Sequence, residues 1–460
     1  MKILLIKPGI ALSDHIQPPL GIAYLAACLR PAHEVRVMDF GKMGRDDASF
    51  SAAVADFAPD VAGFQCYSPE LGEVKRLAGL VRAAAPKSVI IAGGPHPTLC
   101  PEETLGRLAP EASYLLRGET EESFPLFLDL LAGKGSPEAV PGLAWREGGR
   151  VRFNEIRPIK DINALPQPAW DLINPQEYPP AQHGAFFEKF PIAPIVTTRG
   201  CPFACGFCTA PILSGRHMRK RGADAVMAEI ETLYHKFGIR EIHIVDDNFT
   251  LDKAHAVSIL ERIIDSKLPI SLAFPNGVRI NTLDDELLDL MKRAGAYLIS
   301  VGIESGSDKT LKRMDKQLNV ALIREKVELI KRKGIDLAAF FILGFPDETV
   351  EDMRETIKFS LELPLLRANF FTFLPLPMTP VTLRLIEKGE IGAMDVDGLV
   401  FQKVPYSPKG VTREQLRSLQ REAFLRFFLR PGIMLRNLAK VRSPRHFWYL
   451  AKRFYHWIVM

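Results

Sequence analysis

The sequence predicts an α/β protein built from two successive series of strand and helix, and three observations carry that reading. Short, almost wholly apolar runs recur in both halves, each is followed by a stretch of helical periodicity, and a segment dense in proline and glycine separates the two series. Runs that are apolar throughout, without alternation, suit strands covered on both faces, which is the condition of a parallel sheet.

In the first series the runs are KILLI, VRVMD, VAGFQ, SVIIAGG and SYLLRGE. The helical patterns that follow them are Leu20 to Arg30, Ser51 to Phe57, Leu71 to Ala85, Pro101 to Leu108 and Glu121 to Leu131. Five such units predict a doubly wound domain over residues 1–135. From 136 to 190, Pro137, Pro141, Pro158, Pro166, Pro168, Pro175, Pro179 and Pro180 interrupt every candidate helix. The segment is expected to be a connection, with a hairpin around Glu147-Gly148-Gly149-Arg150. The second series, 191–385, has PIVTT, EIHIV, ISLAF, YLISVGI, LAAFFIL and NFFTFL, with helices at 222–236, 253–265, 284–293, 319–332 and 349–361. Six strands with crossover helices predict a partial (β/α)6 barrel whose working face lies at the strands' carboxyl ends. Residues 386–460 are expected to form a helical extension.

Composition narrows the class. The 460 residues are 47% hydrophobic and 25% charged, which excludes disordered, collagen-like and disulfide-stapled chains. The start, MKILLIKPGI, is too short an apolar run for a secretion signal or a membrane span, so the expected location is cytoplasmic. The net charge of +5 is uneven: residues 423–460 hold eight Lys or Arg and no acid, leaving the rest at −3. The same tail carries Phe424, Phe427, Phe428, Phe447, Trp448, Tyr449, Phe454, Tyr455 and Trp457. Two readings stand for it: a helix lying on an anionic membrane surface, peripheral to the inner face, or a helix packing its aromatics on the barrel. No nucleic-acid module is present in the sequence, and nucleic acid is not an expected partner.

Cysteine usage gives the sharpest signal. Cys28, Cys66 and Cys100 stand singly, while Cys201, Cys205 and Cys208 fall within eight residues, directly after the first strand of the second series. Thiolates suit iron-sulfur clusters or zinc, and the short gaps let one loop surround one metal centre. Three thiolates leave a position open. A zinc site would need a fourth ligand, for which only His217 is near.

The segment Cys201-Pro202-Phe203-Ala204-Cys205-Gly206-Phe207-Cys208, with Phe207 before the last cysteine, resembles the signature of the radical S-adenosylmethionine (SAM) superfamily. The resemblance implies a [4Fe-4S] cluster on Cys201, Cys205 and Cys208. Its open iron would bind the amino and carboxylate groups of SAM, which an electron then cleaves to methionine and a 5′-deoxyadenosyl radical. By the same resemblance, Phe207, Asp246, Asp247, Glu304, Ile342 and Gly344 are the candidate SAM-binding residues. Val245 to Phe249 ends the second strand, Gly302 to Ser305 the fourth, and Phe341 to Thr349 the fifth; for Asp246 and Asp247 an Asp-rich helix cap is the alternative. Glu304 is expected at ribose hydroxyls and Gly344 where backbone approaches adenine. At Pro377-Met378-Thr379 the chain departs from the family, which usually has Pro-Gly-Thr.

The first domain resembles the cobalamin-binding branch of that superfamily through Pro18-Pro19-Leu20-Gly21, Gly93-Gly94-Pro95-His96-Pro97-Thr98 and Arg117-Gly118-Glu119. The candidate cobalamin contacts are Pro19, Gly21, Tyr67, Ser68, Gly93, Gly94, His96, Pro97, Thr98, Gly118 and Glu119, all after strands of a doubly wound sheet. The alternative is a domain of this fold that only braces the barrel. The Asp-x-His-x-x-Gly word that supplies a cobalt ligand elsewhere is missing, Asp14-His15 having the wrong spacing, so His15 and His96 are expected to pack or face solvent. The resemblance implies radical C-methylation with two SAM molecules per turnover and an external electron donor such as flavodoxin or ferredoxin. The substrate is a small molecule, with a hydrophobic lipid or tetrapyrrole favoured if the tail touches membrane. Cyclases and rearranging enzymes of the same branch, and a non-catalytic cobalamin or iron-sulfur sensor, are the alternatives.

Overall fold

The computed structural model describes residues 1–9, 17–180, 187–392, 396–400, 403–444, 446–448 and 450–452. His15, Tyr449, Phe454, Tyr455 and Trp457, named above, lie outside these residues. The chain forms two compact units.

The first unit holds residues 1–178, joined by Ala210–Arg219 and 396–398. Its strands are β1 (Lys2–Lys7), β2 (Glu34–Asp39), β3 (Val61–Gln65), β4 (Val89–Gly93), β5 (Tyr114–Leu116), β6 (Leu143–Glu147) and β7 (Arg150–Phe153), in the order β2-β1-β3-β4-β5-β6-β7. The first five are parallel and the last two antiparallel. Ile3, Leu4, Leu5 and Ile6 are all buried although successive side chains face opposite ways, so both faces of β1 are covered. The strand order reverses between β1 and β3, the place where a doubly wound sheet opens its ligand crevice.

The expected connection over 136–190 is in large part a piece of this unit. The hairpin at Glu147 to Arg150 is present, and its strands extend the sheet from β5. Beyond it Trp170 is fully buried, the Ala169 amide donates to the Ala23 carbonyl at 3.0 Å, and Tyr178 Oη donates to Asp39 at 3.2 Å. Proline forbids helix here but leaves edge pairing and aromatic burial open, and these fix the segment.

In the second unit, β8 (Ile192–Ile195), β9 (Glu241–Ile244), β10 (Ser271–Val278), β11 (Ala296–Glu304), β12 (Asp336–Leu343) and β13 (Arg367–Thr372) form one parallel sheet in chain order. The intervening helices are Ala223–Phe237, Lys253–Ser266, Asp285–Arg293, Val320–Arg332 and Val350–Glu362. Their starts are written locally: Asp252, Asp284, Asn319 and Thr349 each accept a backbone amide of the first turn, Thr349 in a reciprocal box with Asp352. The edge strand β13 is covered by the helix Arg413–Phe428, where Gln420 Nε2 donates to the Phe370 carbonyl at 2.9 Å and Phe427 meets Phe370 edge-on. A sheet wound in one direction in strict order brings all the β-to-α loops to one edge.

Candidate active site

The cysteine loop leaves β8 at that edge. Asp246, at the end of β9, is buried and holds the loop's root: its carboxylate accepts from the Thr197 amide at 2.6 Å, Thr197 Oγ1 at 2.6 Å and Thr198 Oγ1 at 2.8 Å. Burial pushes this carboxyl up to about 6 against those hydrogen bonds. Neither Asp246 nor Asp247 caps the next helix, which is the work of Asp252. Asp247 is exposed and near Cys201, whose thiol burial raises above its ordinary value.

Further along the loop, the Gly206 amide donates to the Met314 carbonyl at 3.0 Å and the Gly206 carbonyl accepts from Val381 N at 3.0 Å. A Cβ there would stand 3.0 Å from Val381 Cγ2, which gives the glycine between Cys205 and Phe207 a steric reason. Phe207 sits edge-on to Phe345 and shares one apolar cluster with Ile342, Met314, Phe373, Val381, Leu385 and Tyr406. None of the three cysteines is in a disulfide, and each is half-buried. Among the described residues no three His, Cys, Asp or Glu side chains converge as a ready site for one ion.

Two cations outside the sequence motifs stand over the loop. Arg279 Nη1 donates to Cys205 Sγ at 3.7 Å, and Lys316 Nζ lies 5.7 Å from the centre of the Phe207 ring. Lys316 also donates to Glu304 Oε1 at 2.7 Å. The Lys316 pKa is raised: burial lowers it, but Glu304 and Cys205 outweigh that. Glu304 thus reaches the site already paired, on a left-handed backbone (φ 66°), and Gly302 clears its space. A Cβ at Gly302 would lie 2.3 Å from Glu304 Oε1 and 2.8 Å from Lys316 Nζ. Each cation is a single residue at a strand or helix end with no local word around it, and only the fold brings them to the thiols.

At Gly344 a close approach comes from within the protein. Its φ is 76°, and a Cβ would stand 2.5 Å from Leu416 Cδ2, so the close approach is made by the helix Arg413–Phe428. Its amide and that of Phe345 donate to Glu348 Oε2 at 2.7 and 3.0 Å.

In the first unit, the candidate cobalamin residues divide into two groups. One group ties loops together: the Cys66 amide donates to the Gly93 carbonyl, the His96 amide to the Cys66 carbonyl, Thr98 Oγ1 to the Gly94 carbonyl and the Gly118 amide to Thr98 Oγ1. His96, Pro97 and Thr98 are buried in the short helix Pro95–Leu99, and His96 Nδ1 lies 3.1 Å from Ser68 Oγ. The close approaches at the glycines come from the protein itself: a Cβ would lie 3.1 Å from the Leu116 carbonyl at Gly93, 3.2 Å from the Cys66 carbonyl at Gly94 and 2.4 Å from Ile156 at Gly118. Pro19 is buried, its carbonyl accepting from Ala23 N. Glu119 is engaged: Arg219 forms a two-pronged pair with it, and the Ile159 amide donates to it at 2.8 Å.

The other group faces outward at the crevice. Tyr67 is 48% exposed, Gly93 and Gly94 are half-exposed, and Gly21 is exposed with open space where a Cβ would stand. Behind Tyr67 lies Glu70, which burial pushes up to about 7. A floor of glycines beside an exposed tyrosine fits a flat macrocycle. Among the described residues, His96 is turned inward.

Fold and site together define an enzyme class in which a thiolate loop on a partial barrel is preceded by a doubly wound cofactor domain. Residues 195–360 match the radical SAM superfamily and residues 6–128 the B12 binding domain. The chain is 30% identical to an uncharacterized methyltransferase of Pyrococcus horikoshii over 95% of both proteins. It is 29% identical to the cytidylyl-2-hydroxyethylphosphonate methyltransferase of Streptomyces wedmorensis, covering 84% of this chain and 82% of that one. Its fold is shared with OxsB, a cobalamin-dependent SAM radical enzyme solved with aqua-cobalamin and SAM bound: TM-score 0.77, 18% identity, 99% of this chain and 70% of that one. The protein belongs to the radical SAM superfamily, in its cobalamin-binding branch, and the cofactors of that branch are a [4Fe-4S] cluster, SAM and cobalamin. No described helix is long and apolar enough to cross a membrane.

Proposed function

We propose that the protein is a cobalamin-dependent C-methyltransferase that methylates an unactivated carbon of a small molecule, with Cys201, Cys205 and Cys208 holding the cluster. The observation that carries this is the loop of three cysteines outside any disulfide at the barrel's carboxyl edge, with a buried arginine donating to one sulfur. A cubane takes each thiolate on its own iron, so the thiols need not meet at a point, whereas a single zinc ion would require them to. Bound here, the cluster with SAM supplies radical-forming one-electron chemistry, and cobalamin supplies the methyl group.

The chain's own work is placement. Asp246 fixes the root of the loop through Thr197 and Thr198, and Phe207 pins it to the apolar cluster. Asp247 and the Glu304–Lys316 pair are positioned for the polar groups of SAM, and Phe207 with Ile342 for its apolar edge. Gly21, Tyr67, Gly93 and Gly94 form the cobalamin floor. Phe345 and Phe373, with Ile342 packed against them, would exclude water beside the loop. The electron donor is a small redox protein of the flavodoxin or ferredoxin type.

Anaerobic reconstitution with iron, sulfide and hydroxocobalamin, followed by metal analysis of the wild type and Cys205→Ala, tests the assignment. Bound cobalt together with iron that Cys205→Ala loses is expected, as is 5′-deoxyadenosine from SAM under dithionite. Iron without cobalt would reduce the first unit to a scaffold, and intact SAM would make the protein a sensor. A ring-closed product without added methyl would make it a cyclase.

A second observation favours contact with a membrane surface. Leu429, Met434, Leu435, Leu438, Phe447 and Trp448 are exposed, Trp448 by 72%, in a stretch that holds Arg442 and Lys452 and no acid. His446 is buried against Phe187, so the segment is docked while the neighbouring Phe447 and Trp448 face out. Apolar tips among basic residues suit an anionic lipid surface. Co-sedimentation with phosphatidylglycerol vesicles that is lost in Leu435→Glu/Trp448→Glu is expected, and binding unchanged by that variant would exclude it.

A further inference from the structure

Arg279 is only 8% exposed, yet among the described residues no carboxylate is paired with it. Its contacts are of another kind. The guanidinium carbon stands 3.6 Å from the centre of the Phe203 ring, and Phe203 is the residue midway between Cys201 and Cys205. Nε donates to Asn281 Oδ1 at 3.1 Å, Nη2 to the Lys316 carbonyl, and Nη1 to Cys205 Sγ at 3.7 Å. Its backbone amide donates to Asn248 Oδ1 at 3.3 Å. The neighbouring cation, Lys316, already has its carboxylate in Glu304.

A buried guanidinium carries a desolvation cost, which proteins ordinarily offset with an anion. Here every fixed contact is neutral except the sulfur. The stacking on Phe203 and the hydrogen bonds to Asn281 and Lys316 leave the group one direction, and that direction is the thiol.

We propose that Arg279 is a positioning residue for the cysteine loop, the counter-charge and hydrogen-bond donor at the Cys205 sulfur, and that it raises the reduction potential of the cluster held there. The inference rests on the cluster reading above. Reduction adds one negative charge to a thiolate-bound cluster, and a cation with an N–H on one of its sulfurs stabilises that added charge. Phe203 serves as the platform that aims the guanidinium, so the spacing between Cys201 and Cys205 has a use beyond reach.

The test is a redox titration of the reconstituted protein, without substrate, followed by electron paramagnetic resonance, with iron counted per chain. Arg279→Gln removes the charge at similar length, and Arg279→Lys keeps the charge but loses the planar fork. Near wild-type iron in both is expected, with the midpoint potential most negative in Arg279→Gln and intermediate in Arg279→Lys. If Arg279→Gln does not load, Arg279→Lys decides alone: a potential below wild type supports the proposal. Loaded variants at the wild-type potential overturn it, while a wild-type chain that takes no iron overturns the cluster reading instead.

Discussion

Asp246 accepts the backbone amide of Thr197 at 2.6 Å from the neighbouring strand, and the hydroxyls of Thr197 and Thr198 complete its shell. The end of β9 thereby fixes the point at which the chain leaves β8 for the cysteines. The adjacent Asp247 is exposed. Two acids side by side in one motif therefore have different work.

Asp246→Ala strips a buried, charged acceptor from three donors, and a loss of about 3 kcal/mol of stability is expected. The urea midpoint reads it, together with reduced iron per chain after reconstitution. Asp247→Ala should stay within about 0.5 kcal/mol of wild type. Equal losses in the two variants would mean that the Thr197 contact is not what holds the loop.

In the first unit, Glu119 and Arg219 are each 11% exposed at the side chain and form a two-pronged pair. Removing one partner of such a pair leaves the other charge uncompensated, so Glu119→Ala should cost about 3 kcal/mol. Glu119→Ala/Arg219→Ala should recover part of that. A Glu119→Ala chain of unchanged stability that retains less cobalamin would make Glu119 a cofactor contact instead.

The strands and most helices were legible because their burial is two-sided and their caps are local. The helix expected from Pro101 to Leu108 has those bounds, and the one expected from Ser51 begins at Asp47 because Asp46 caps it. The helix Pro95–Leu99 has no signal in the sequence, since two prolines in five residues suggest a turn. It forms because Pro95 lies in the first turn, where no amide is required, and the Thr98 amide finds the Gly94 carbonyl. At Gly94 and Gly344 the sequence suggests that something approaches the backbone, but it does not say what. At Gly344 it is Leu416, more than seventy residues away, and at Gly94 it is the Cys66 backbone. Arg279 and Lys316 reach the thiols only through long-range packing, which has no local signature.

Met378 stands where the family usually has glycine, and its φ of 63° is the left-handed conformation that glycine adopts freely. The turn is therefore kept at a cost of about 1 kcal/mol. The Met378 side chain is 49% exposed and contributes little burial. Met378→Gly should leave stability unchanged or raise it by up to about 1 kcal/mol, the greater entropy of glycine in the unfolded chain offsetting part of the relief. Met378→Val, β-branched and ill-suited to positive φ, should lower it by at least about 1 kcal/mol. Thermal unfolding of the three chains checks the order, and a Met378→Gly chain less stable than Met378→Val would exclude backbone strain as the cause.

Glu348 links pH to the stability of the turn after β12. One carboxylate oxygen, Oε2, takes the amides of Gly344 and Phe345, while Oε1 is buried without a partner, and burial pushes the carboxyl up to about 8 from an ordinary 4.5. Between those two values the folded chain holds a proton that the unfolded chain has released, so this group's contribution to stability falls as pH rises. The contribution is intact below about pH 4.5 and lost in full above about pH 8. Glu348→Gln keeps an acceptor for the two amides and cannot ionise. Relative to wild type it should therefore gain stability from pH 5 to pH 9, on the order of 3–5 kcal/mol across the window. Urea unfolding of both chains at several pH values measures the difference. A difference independent of pH would show that Glu348 titrates as an ordinary carboxyl, and a gain at the acid end would reverse the assigned sign.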